Sequence, residues 1–395
     1  MEKLPAAFYI EHRRAEPILR PRTTDESRCK EVFMSIITIV GAGMMGSALT
    51  RPATDNGHTV RLVGTPLDRA IIDSVRAERF HPTLRRSMPA GVEAFPAEEL
   101  DRALDGAELV IGGISSFGIE WFAESVLPKL RPDVPVLIVT KGLKGDGKGG
   151  LLPFPHYLES RLPAALRSRI PFCAIGGPCI CFELFDRRHT MVVYCGTDAG
   201  AVSRARTLLG TGYYHISEST DLPGVEGCAA LKNAYAMGVS LSVGIADREK
   251  GALDAEAARS LCAPGAPDRN PVYNPQAALF AQSCLEMGRL VKLLGGDPSL
   301  AGTLPGAGDL YVTIFGGRTR RLGTLLGRGV PFAEAREMLH GVTLEAVAII
   351  RCVANALRHW AERGELRLTD YPLRLHMDAI LRENADPVPP FEQFG

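Results

Sequence analysis

The side chains best suited to chemistry fall in four short stretches of the sequence. They are Lys141 in IVTKGL, Lys232 and Asn233 in GVEGCAALKN, Asp309 and Thr313 in LPGAGDLYVT, and Arg318 and Thr319 in GGRTRRLG. Lys232 poses a physical problem, because it lies within the nearly apolar run of residues 227–246. A buried, unpaired charge costs several kcal/mol. The run therefore predicts either a carboxylate partner for Lys232 elsewhere in the chain or contact of this ammonium group with water.

The stretch GAGMMG, residues 41–46, has the spacing of a dinucleotide-binding loop. An apolar, β-branched run precedes it and a helix-compatible segment follows it, which is the context that such a loop requires. Gly41 allows a tight turn, Gly43 lets the backbone approach a pyrophosphate, and Gly46 permits close packing of helix on strand. The predicted cofactor-binding residues are Gly41, Ala42, Gly43, Met44, Met45, Gly46 and Thr65.

The end of the second predicted strand determines which dinucleotide such a domain prefers. Here the strand ends in RLVGTPLDR, which places Gly64 and Thr65 where an acidic residue would hold the ribose 2′-hydroxyl of NAD. Arg61 or Arg69 offers a positive charge for the 2′-phosphate of NADP, and Asp68 is an alternative contact for the ribose. The cofactor is therefore predicted as NAD or NADP.

Strand-like and helix-like segments alternate from Met34 to about residue 220. The strand-like runs are short and continuously apolar, which is typical of strands buried on both faces of a parallel sheet. Segments with helical spacing then take over, at 224–246, 275–296, 333–339 and 343–362. The pattern predicts an α/β plus all-α chain, with a Rossmann-like, doubly wound sheet over residues 34–220 and a helical substrate domain over residues 221–395. Residues 1–33 mix both charges without an apolar core, and are expected either to form a disordered extension or to precede a true start at Met34.

Composition argues against several other classes of protein. Lys plus Arg and Asp plus Glu both number 45, so the net charge favours neither nucleic acid nor an anionic membrane as a partner. Nine cysteines lack zinc-finger spacing, Cys179 and Cys181 included, so we predict reduced thiols in a cytoplasmic protein and no metal site. The run at 227–246 is long enough to cross a bilayer, but its small residues and its lysine favour a buried helix.

Together these motifs resemble the NAD(P)-dependent glycerol-3-phosphate dehydrogenases of the bacterial soluble type. The resemblance covers nearly all of residues 35–375 and keeps the motifs in order: GAGMMG, TKGL, GGP followed by Glu183, GVEGCAALKN, GAGDL, RTRRLG and GVTLEA. It implies an enzyme that reduces the C2 carbonyl of dihydroxyacetone phosphate to give sn-glycerol 3-phosphate, a glycerophospholipid precursor. It also implies a homodimer. The adjacent Lys232 and Asn233 point away from the β-hydroxyacid dehydrogenases, in which the Asn lies a turn beyond the Lys.

The resemblance further implies a catalytic role for each polar residue. Lys232 is expected to be the general acid, with Asn233 positioning either Lys232 or the substrate. Asp309 is expected to meet the Lys232 ammonium group, and Thr313 to complete the network of Asp309. Lys141 is expected to add a second positive charge beside the carbonyl or the phosphate of the substrate.

The substrate phosphate is expected to bind Arg318, Thr319 and nearby backbone N–H groups. Thr319 is also a departure from the family pattern, in which an Asn usually follows the first Arg. The stretch GPCICFE places Cys179 and Phe182 where polar residues are common, and Gln282 stands where an Arg is typical. These departures affect the rim of the expected pocket more than its catalytic residues.

Two alternatives therefore stay open. The first keeps hydride transfer but acts on another small phosphorylated ketone or hydroxy acid, as Thr319 and a loop at 247–273 longer than the family's suggest. The second is a non-catalytic NAD(P)-binding sensor. The joint presence of Lys141, Lys232 and Asp309 argues against a sensor, because a protein that only binds the cofactor needs no more than the glycine loop.

Overall fold

The computed structural model describes residues 34–249, 272–315, 317–341 and 344–395. The predicted extension at 1–33 lies outside the described residues, and so does most of the predicted loop at 247–273.

An eight-stranded sheet organises the first part of the chain. In chain order the strands are β1 Ile36–Val40, β2 Thr59–Val63, β3 Phe80–His81, β4 Arg86–Ser87, β5 Val92–Phe95, β6 Leu109–Gly112, β7 Val136–Ile138, β8 Leu143–Gly145, β9 Leu151–Pro153, β10 Phe172–Gly176, β11 Thr190–Gly196 and β12 Tyr214–Ser219. The sheet order is β12-β11-β10-β7-β6-β1-β2-β5, and the pairs β3–β4 and β8–β9 form separate hairpins. Adjacent strands of the sheet are parallel except β10 and β11, so β11 and β12 run opposite to the rest.

Helices cover both faces of this sheet. They are α1 Met44–Asp55, α2 Arg69–Glu78, α3 Leu100–Leu104, α4 Ile119–Ser125, α5 Phe154–Arg161, α6 Ala164–Arg167, α7 Cys181–Phe185 and α8 Ala199–Leu209, with short 3₁₀ turns at Ala97–Glu99, Ser116–Gly118 and Leu127–Lys129. One buried cluster packs α1, α2, α7 and α8 against the sheet, and a second packs α3, α4 and α5 against its other face. The predicted doubly wound, Rossmann-like fold is confirmed.

The remainder of the described chain is helical. Its helices are α9 Leu222–Glu249, α10 Tyr273–Leu293, α11 Asp309–Ile314, α12 Gly317–Gly327, α13 Phe332–Met338, α14 Glu345–Glu362 and α15 Pro372–Glu383, with a π-helical turn at Leu304–Gly308 and 3₁₀ turns at Pro298–Gly302, Leu368–Asp370 and Phe391–Gln393. A single large cluster of buried side chains joins α9 to the helices around it. The predicted helical domain is confirmed in its fold class.

Helix α9 contains the small-residue run at 227–246. It packs on α12 so closely that a Cβ atom on Gly244 would lie 2.0 Å from the Thr324 carbonyl oxygen, and one on Gly327 would lie 2.1 Å from that of Leu241. Small residues are therefore required by the helix contact itself. Among the described helices, none combines the length and apolar character needed to cross a membrane.

Candidate active site

Two lysines share one aspartate at the carboxyl end of the sheet. Lys141 follows β7, Lys232 lies on α9, and Asp309 is the first residue of α11. The Lys141 Nζ atom lies 2.5 Å from Asp309 Oδ2, and the Lys232 Nζ atom contacts Asp309 Oδ1. We call these three residues the lysine–aspartate cluster. Asp309 thus supplies the carboxylate partner that the buried position of Lys232 requires.

The backbone around the cluster is held by local contacts. The Thr140 hydroxyl donates to the Ile114 carbonyl oxygen at 2.6 Å, which joins the loop that carries Lys141 to the loop after β6. Asp309 directly follows the π-helical turn at Leu304–Gly308, a type of irregular turn that is frequent at functional sites. The carboxylate therefore projects from a helix start whose geometry the glycine-rich sequence makes possible.

The cluster is shielded from water, and the pKa values of its two lysines shift in opposite directions. The Asp309 side chain is 1% exposed, and those of Lys141 and Lys232 are 19% and 11% exposed. Burial lowers the pKa of Lys232 to about 8, although Asp309 opposes this effect. Burial also opposes the charge of Lys141, but the Asp309 carboxylate outweighs it, so that the pKa of Lys141 is raised. Lys232 is therefore the lysine that exchanges its proton near neutral pH.

Asn233 and Thr313 lie at the edges of the cluster. The Thr313 hydroxyl donates to the backbone carbonyl oxygen of Asp309 at 2.6 Å, so its contact supports the helix backbone rather than the carboxylate. Asn233 is half-buried beside Lys232, and its amide has no hydrogen-bond partner among the described residues. An amide without an internal partner is available to a bound molecule.

Arg318 and Thr319 lie in the first turn of α12, where backbone N–H groups lack partners within the helix. The Arg318 side chain is 48% exposed, and its Nη2 atom lies 3.8 Å from the Glu345 carboxylate. The Ser116 hydroxyl, on the loop after β6, donates to the same carboxylate at 3.2 Å. Glu345 thus links Arg318 to the edge of the sheet. No described contact joins Arg318 directly to the lysine–aspartate cluster.

The glycine loop has the geometry that a dinucleotide requires. Gly41 has a φ of +111°, and a Cβ atom there would lie 2.7 Å from the Gly113 backbone, while one on Gly46 would lie 2.4 Å from the Gly41 carbonyl oxygen. These two glycines are therefore required by packing. A Cβ atom on Gly43 would make only an ordinary contact, at 3.7 Å from the Gly113 carbonyl oxygen, so packing within the described chain does not require glycine here. Gly43 also precedes α1 without a capping side chain, which leaves the first-turn N–H groups, those of Met44 and its neighbours, free for a phosphate.

Two side chains that the sequence pattern did not connect hold the peptide of Ala42 in this loop. Its N–H group donates to Asp68 Oδ2 at 3.2 Å, and His81 Nε2 lies 2.9 Å from its carbonyl oxygen. Since His81 Nδ1 accepts from the Leu84 N–H group at 3.0 Å, Nε2 carries the proton and donates. Burial lowers the pKa of His81, which favours this neutral form.

The charged residues near the carboxyl end of β2 make different contacts. Asp68 Oδ2 also accepts from the N–H group of Thr65 at 2.9 Å and from its hydroxyl at 2.8 Å. Arg61 donates to backbone carbonyl oxygens at the end of α3, including that of Asp105 at 2.5 Å, and so turns away from the tip. Arg69 pairs with Glu98 at 2.6 Å across an open cleft at the tip. Of the two arginines considered for a 2′-phosphate, only Arg69 has its side chain at the tip of β2.

The structure also places Cys179 between the glycine loop and the cluster. Its Sγ atom lies 4.0 Å from Met45 Sδ, and burial raises the pKa of its thiol to about 12. Cys179 is therefore a neutral, weakly polar neighbour of the site rather than a reactive thiolate. The sequence marked this position as a departure from the family pattern but carried no signal for its contact with Met45.

Comparison with known proteins identifies the family of the chain. Models of the N- and C-terminal domains of NAD-dependent glycerol-3-phosphate dehydrogenase match residues 36–201 and 221–390. The chain is 34% identical over 304 residues to the NADP(+)-dependent glycerol-3-phosphate dehydrogenase of Archaeoglobus fulgidus, covering 77% of this chain and 83% of the relative. The chain belongs to the NAD-dependent glycerol-3-phosphate dehydrogenase family.

Other members of the family agree in sequence and in fold. A glycerol-3-phosphate dehydrogenase [NAD(P)+] of Streptococcus suis is 28% identical over 314 residues, covering 79% of this chain and 83% of the relative. The crystal structure of the glycerol-3-phosphate dehydrogenase of Coxiella burnetii superposes with a TM-score of 0.71 at 25% identity, covering 90% of this chain and 97% of that one. The predicted family is confirmed, and the chain is an oxidoreductase that uses NAD or NADP. Within the described residues, no group of three His, Cys, Asp or Glu side chains is placed to hold a metal ion.

Proposed function

We propose that this dehydrogenase reduces dihydroxyacetone phosphate to sn-glycerol 3-phosphate, with Lys232 as the general acid. The observation that carries the proposal is the shared carboxylate of Asp309, which keeps Lys232 charged in a buried site while its pKa stays about 8. NAD(P)H, when bound, supplies the hydride that goes to C2 of the substrate. The carbonyl oxygen then becomes an alkoxide, and Lys232 gives this oxygen a proton from Nζ.

The other members of the cluster prepare Lys232 for this step. Asp309 orients the Lys232 ammonium group and offsets part of its burial cost. Lys141 retains its proton and so presents a fixed positive charge where negative charge develops on the substrate oxygen. The amide of Asn233, which has no internal partner among the described residues, is free to donate to a substrate oxygen. Thr313 supports the backbone that carries Asp309.

The phosphate of the substrate is proposed to bind at the first turn of α12. Arg318 offers a bidentate guanidinium group, and its exposed side chain leaves room for an anion. The Thr319 hydroxyl and backbone N–H groups of the helix start add neutral donors. Arg318 would then contact the phosphate end of the substrate, and the cluster would contact the oxygen on C2.

The direct test is to follow oxidation of NADH, and separately of NADPH, with dihydroxyacetone phosphate. Lys232→Ala is expected to lower kcat by roughly 10²–10⁴-fold, the usual contribution of a general acid. Lys292→Ala is the matched control, because Lys292 is an exposed lysine on the neighbouring helix α10. Full activity of Lys232→Ala would refute the assigned role, and a folded wild type that binds a cofactor without turnover would refute the reaction.

A second candidate function keeps the chemistry and changes the substrate. Thr319 in the first turn of α12 and the half-buried thiol of Cys179 beside Met45 both depart from the residues that are usual in the family. A panel of small phosphorylated ketones and hydroxy acids tests this candidate. Faster turnover of any other compound than of dihydroxyacetone phosphate would favour it.

The family resemblance alone supports three further proposals. We propose that the enzyme acts in the cytoplasm, supplies glycerol 3-phosphate to phospholipid synthesis, and forms a homodimer. Light scattering on the purified protein tests the last of these, and a mass of one chain would contradict it. Growth that requires added glycerol when the gene is deleted would support the role in lipid supply.

A further inference from the structure

Glu226 is a buried carboxyl group that the proposed mechanism does not use. It lies on α9 six residues before Lys232, its exposure is 0%, and both of its carboxyl oxygens lack a hydrogen-bond partner among the described residues. Buried polar groups in folded proteins are nearly always hydrogen-bonded. An unpartnered acid this deep in the molecule therefore requires a physical explanation.

The packing of α9 places Glu226 directly behind the lysine–aspartate cluster. A Cβ atom on Gly176, at the end of β10, would lie 2.5 Å from Val225 and 2.9 Å from Pro305. The first turns of α9 are thus wedged between the sheet and the π-helical turn that leads into Asp309. Glu226, the next residue after Val225, is itself fully buried in this packing.

The charged and titratable groups around Glu226 come from several elements. They are Lys141 after β7, Asp309 on α11 and Cys195 on β11. Lys141 and Asp309 are the charges that act on Glu226 most strongly, and they act in opposite directions. Neither forms a hydrogen bond to it, so charge alone couples Glu226 to the cluster.

We infer that Glu226 is held as a neutral carboxylic acid behind the cluster and acts as a positioning residue that sets the cluster's charge. The inference rests on the proposed function. With Glu226 neutral, two ammonium groups and the Asp309 carboxylate leave one net positive charge, which favours a developing alkoxide and a substrate phosphate. An ionised Glu226 would cancel that charge and would make the lysines release protons less readily.

The protonation of Glu226 follows from its surroundings. Burial raises the pKa of this carboxyl group to about 8, with Lys141 opposing the shift and Asp309 adding to it. The group therefore stays protonated at neutral pH and ionises near the pH at which Lys232, whose pKa is also about 8, begins to lose its proton. The negative charge that then appears on Glu226 helps the lysines to keep their protons.

Glu226→Gln separates this role from a purely structural one, because Gln copies the shape of the neutral acid and cannot ionise. We expect kcat for reduction to change by no more than about twofold at neutral pH. The alkaline limb of the kcat profile is expected to move to lower pH by roughly half a unit or more, since the lysines lose a compensating charge. Glu124→Gln, an exposed glutamate on α4, is the control and should leave the limb in place. An unmoved limb in Glu226→Gln would overturn the inference.

Infrared spectroscopy of the substrate-free protein tests the inference without relying on turnover. The wild type is expected to show the carbonyl stretch of a protonated carboxyl group at neutral pH, which fades as the pH rises past 8. This band should be missing in Glu226→Gln and present in Glu124→Gln. A wild type without the band overturns the inference even if Glu226→Gln fails to fold. A band assigned to Glu226 in an enzyme that does not reduce dihydroxyacetone phosphate would instead refute the proposed function alone.

Discussion

Replacing Glu226 with Gln is expected to stabilise the folded protein, and to do so more strongly as the pH rises. The carboxyl group has a pKa of about 8 in the folded chain, against an ordinary value of 4.5 for a glutamate in water, which the unfolded chain is taken to have. Because the folded value is raised, the stability that this group contributes is fully present below pH 4.5 and is lost as the pH rises toward 8. The wild type thus loses about 1.4 kcal/mol of unfolding free energy per pH unit within this window. Neutral pH lies about 2.5 units above the lower end of this window, which gives an upper bound of about 3.5 kcal/mol.

Glutamine does not titrate, so Glu226→Gln avoids this loss while keeping the shape of the side chain. The assay is calorimetric melting of wild type and variant in matched buffers from weakly acidic to weakly alkaline pH. The Tm of Glu226→Gln is expected to exceed that of the wild type by a few degrees at neutral pH, with a gap that widens toward pH 8. Glu124→Gln should follow the wild type at every pH. A gap that stays constant with pH, or a variant that melts lower throughout, would refute the reasoning.

Three further predictions concern the proposed site. The kcat for reduction should fall above a pH of about 8, where Lys232 loses its proton. The kcat for oxidation of glycerol 3-phosphate should rise through the same pH. If both pH profiles of kcat fall together, Lys232 is not the general acid. Glu345→Gln removes the carboxylate that lies 3.8 Å from Arg318. Because this negative charge competes with the substrate phosphate, steady-state kinetics should show a KM for the phosphorylated substrate that is lower by a few-fold. A higher KM would mean that Glu345 positions Arg318 instead. Glu98→Gln frees Arg69 and should lower KM for NADPH relative to NADH by about twofold, since the pair is exposed; an unchanged ratio would exclude Arg69 as a 2′-phosphate contact.

The elements of the fold that follow from short sequence patterns were predictable. The glycine spacing at 41–46 predicted a strand, a turn and a helix, because steric crowding at Gly41 and Gly46 leaves few alternatives. The run at 227–246 predicted a buried helix, because its small residues suit close helix contacts. The reversed direction of β11 was not predictable, since a continuous apolar run reports burial on both faces and says nothing of strand direction. Edge strand β5 was missed because only its ends are buried.

The contact between Lys232 and a carboxylate was predictable from the sequence, but other contacts of the candidate site were not. A lysine in an apolar run predicts a carboxylate partner but does not say which one. Asp309 lies 77 residues away along the chain, so the family resemblance was needed to select it. Contacts such as His81 with Ala42 span 39 residues and carry no sequence pattern. Glu226 is likewise an ionisable residue in a largely apolar helix, but no role was predicted for it from the sequence.

The burial of Lys232 and the burial of Glu226 together determine the charge of the lysine–aspartate cluster proposed here. An enzyme that protonates an alkoxide near neutral pH needs an ammonium group that releases its proton easily, and burial achieves this at a cost in stability. Asp309 limits that cost, but a second carboxylate beside it would bind the lysines too firmly. Burial of Glu226 without hydrogen bonds keeps this second acid neutral until the pH reaches about 8. The small residues of α9 allow close packing in the same region, since a Cβ atom on Gly227, next to Glu226, would lie 3.0 Å from the Leu294 side chain. The amino acid composition of α9 and the proton chemistry proposed for it therefore have the same physical origin.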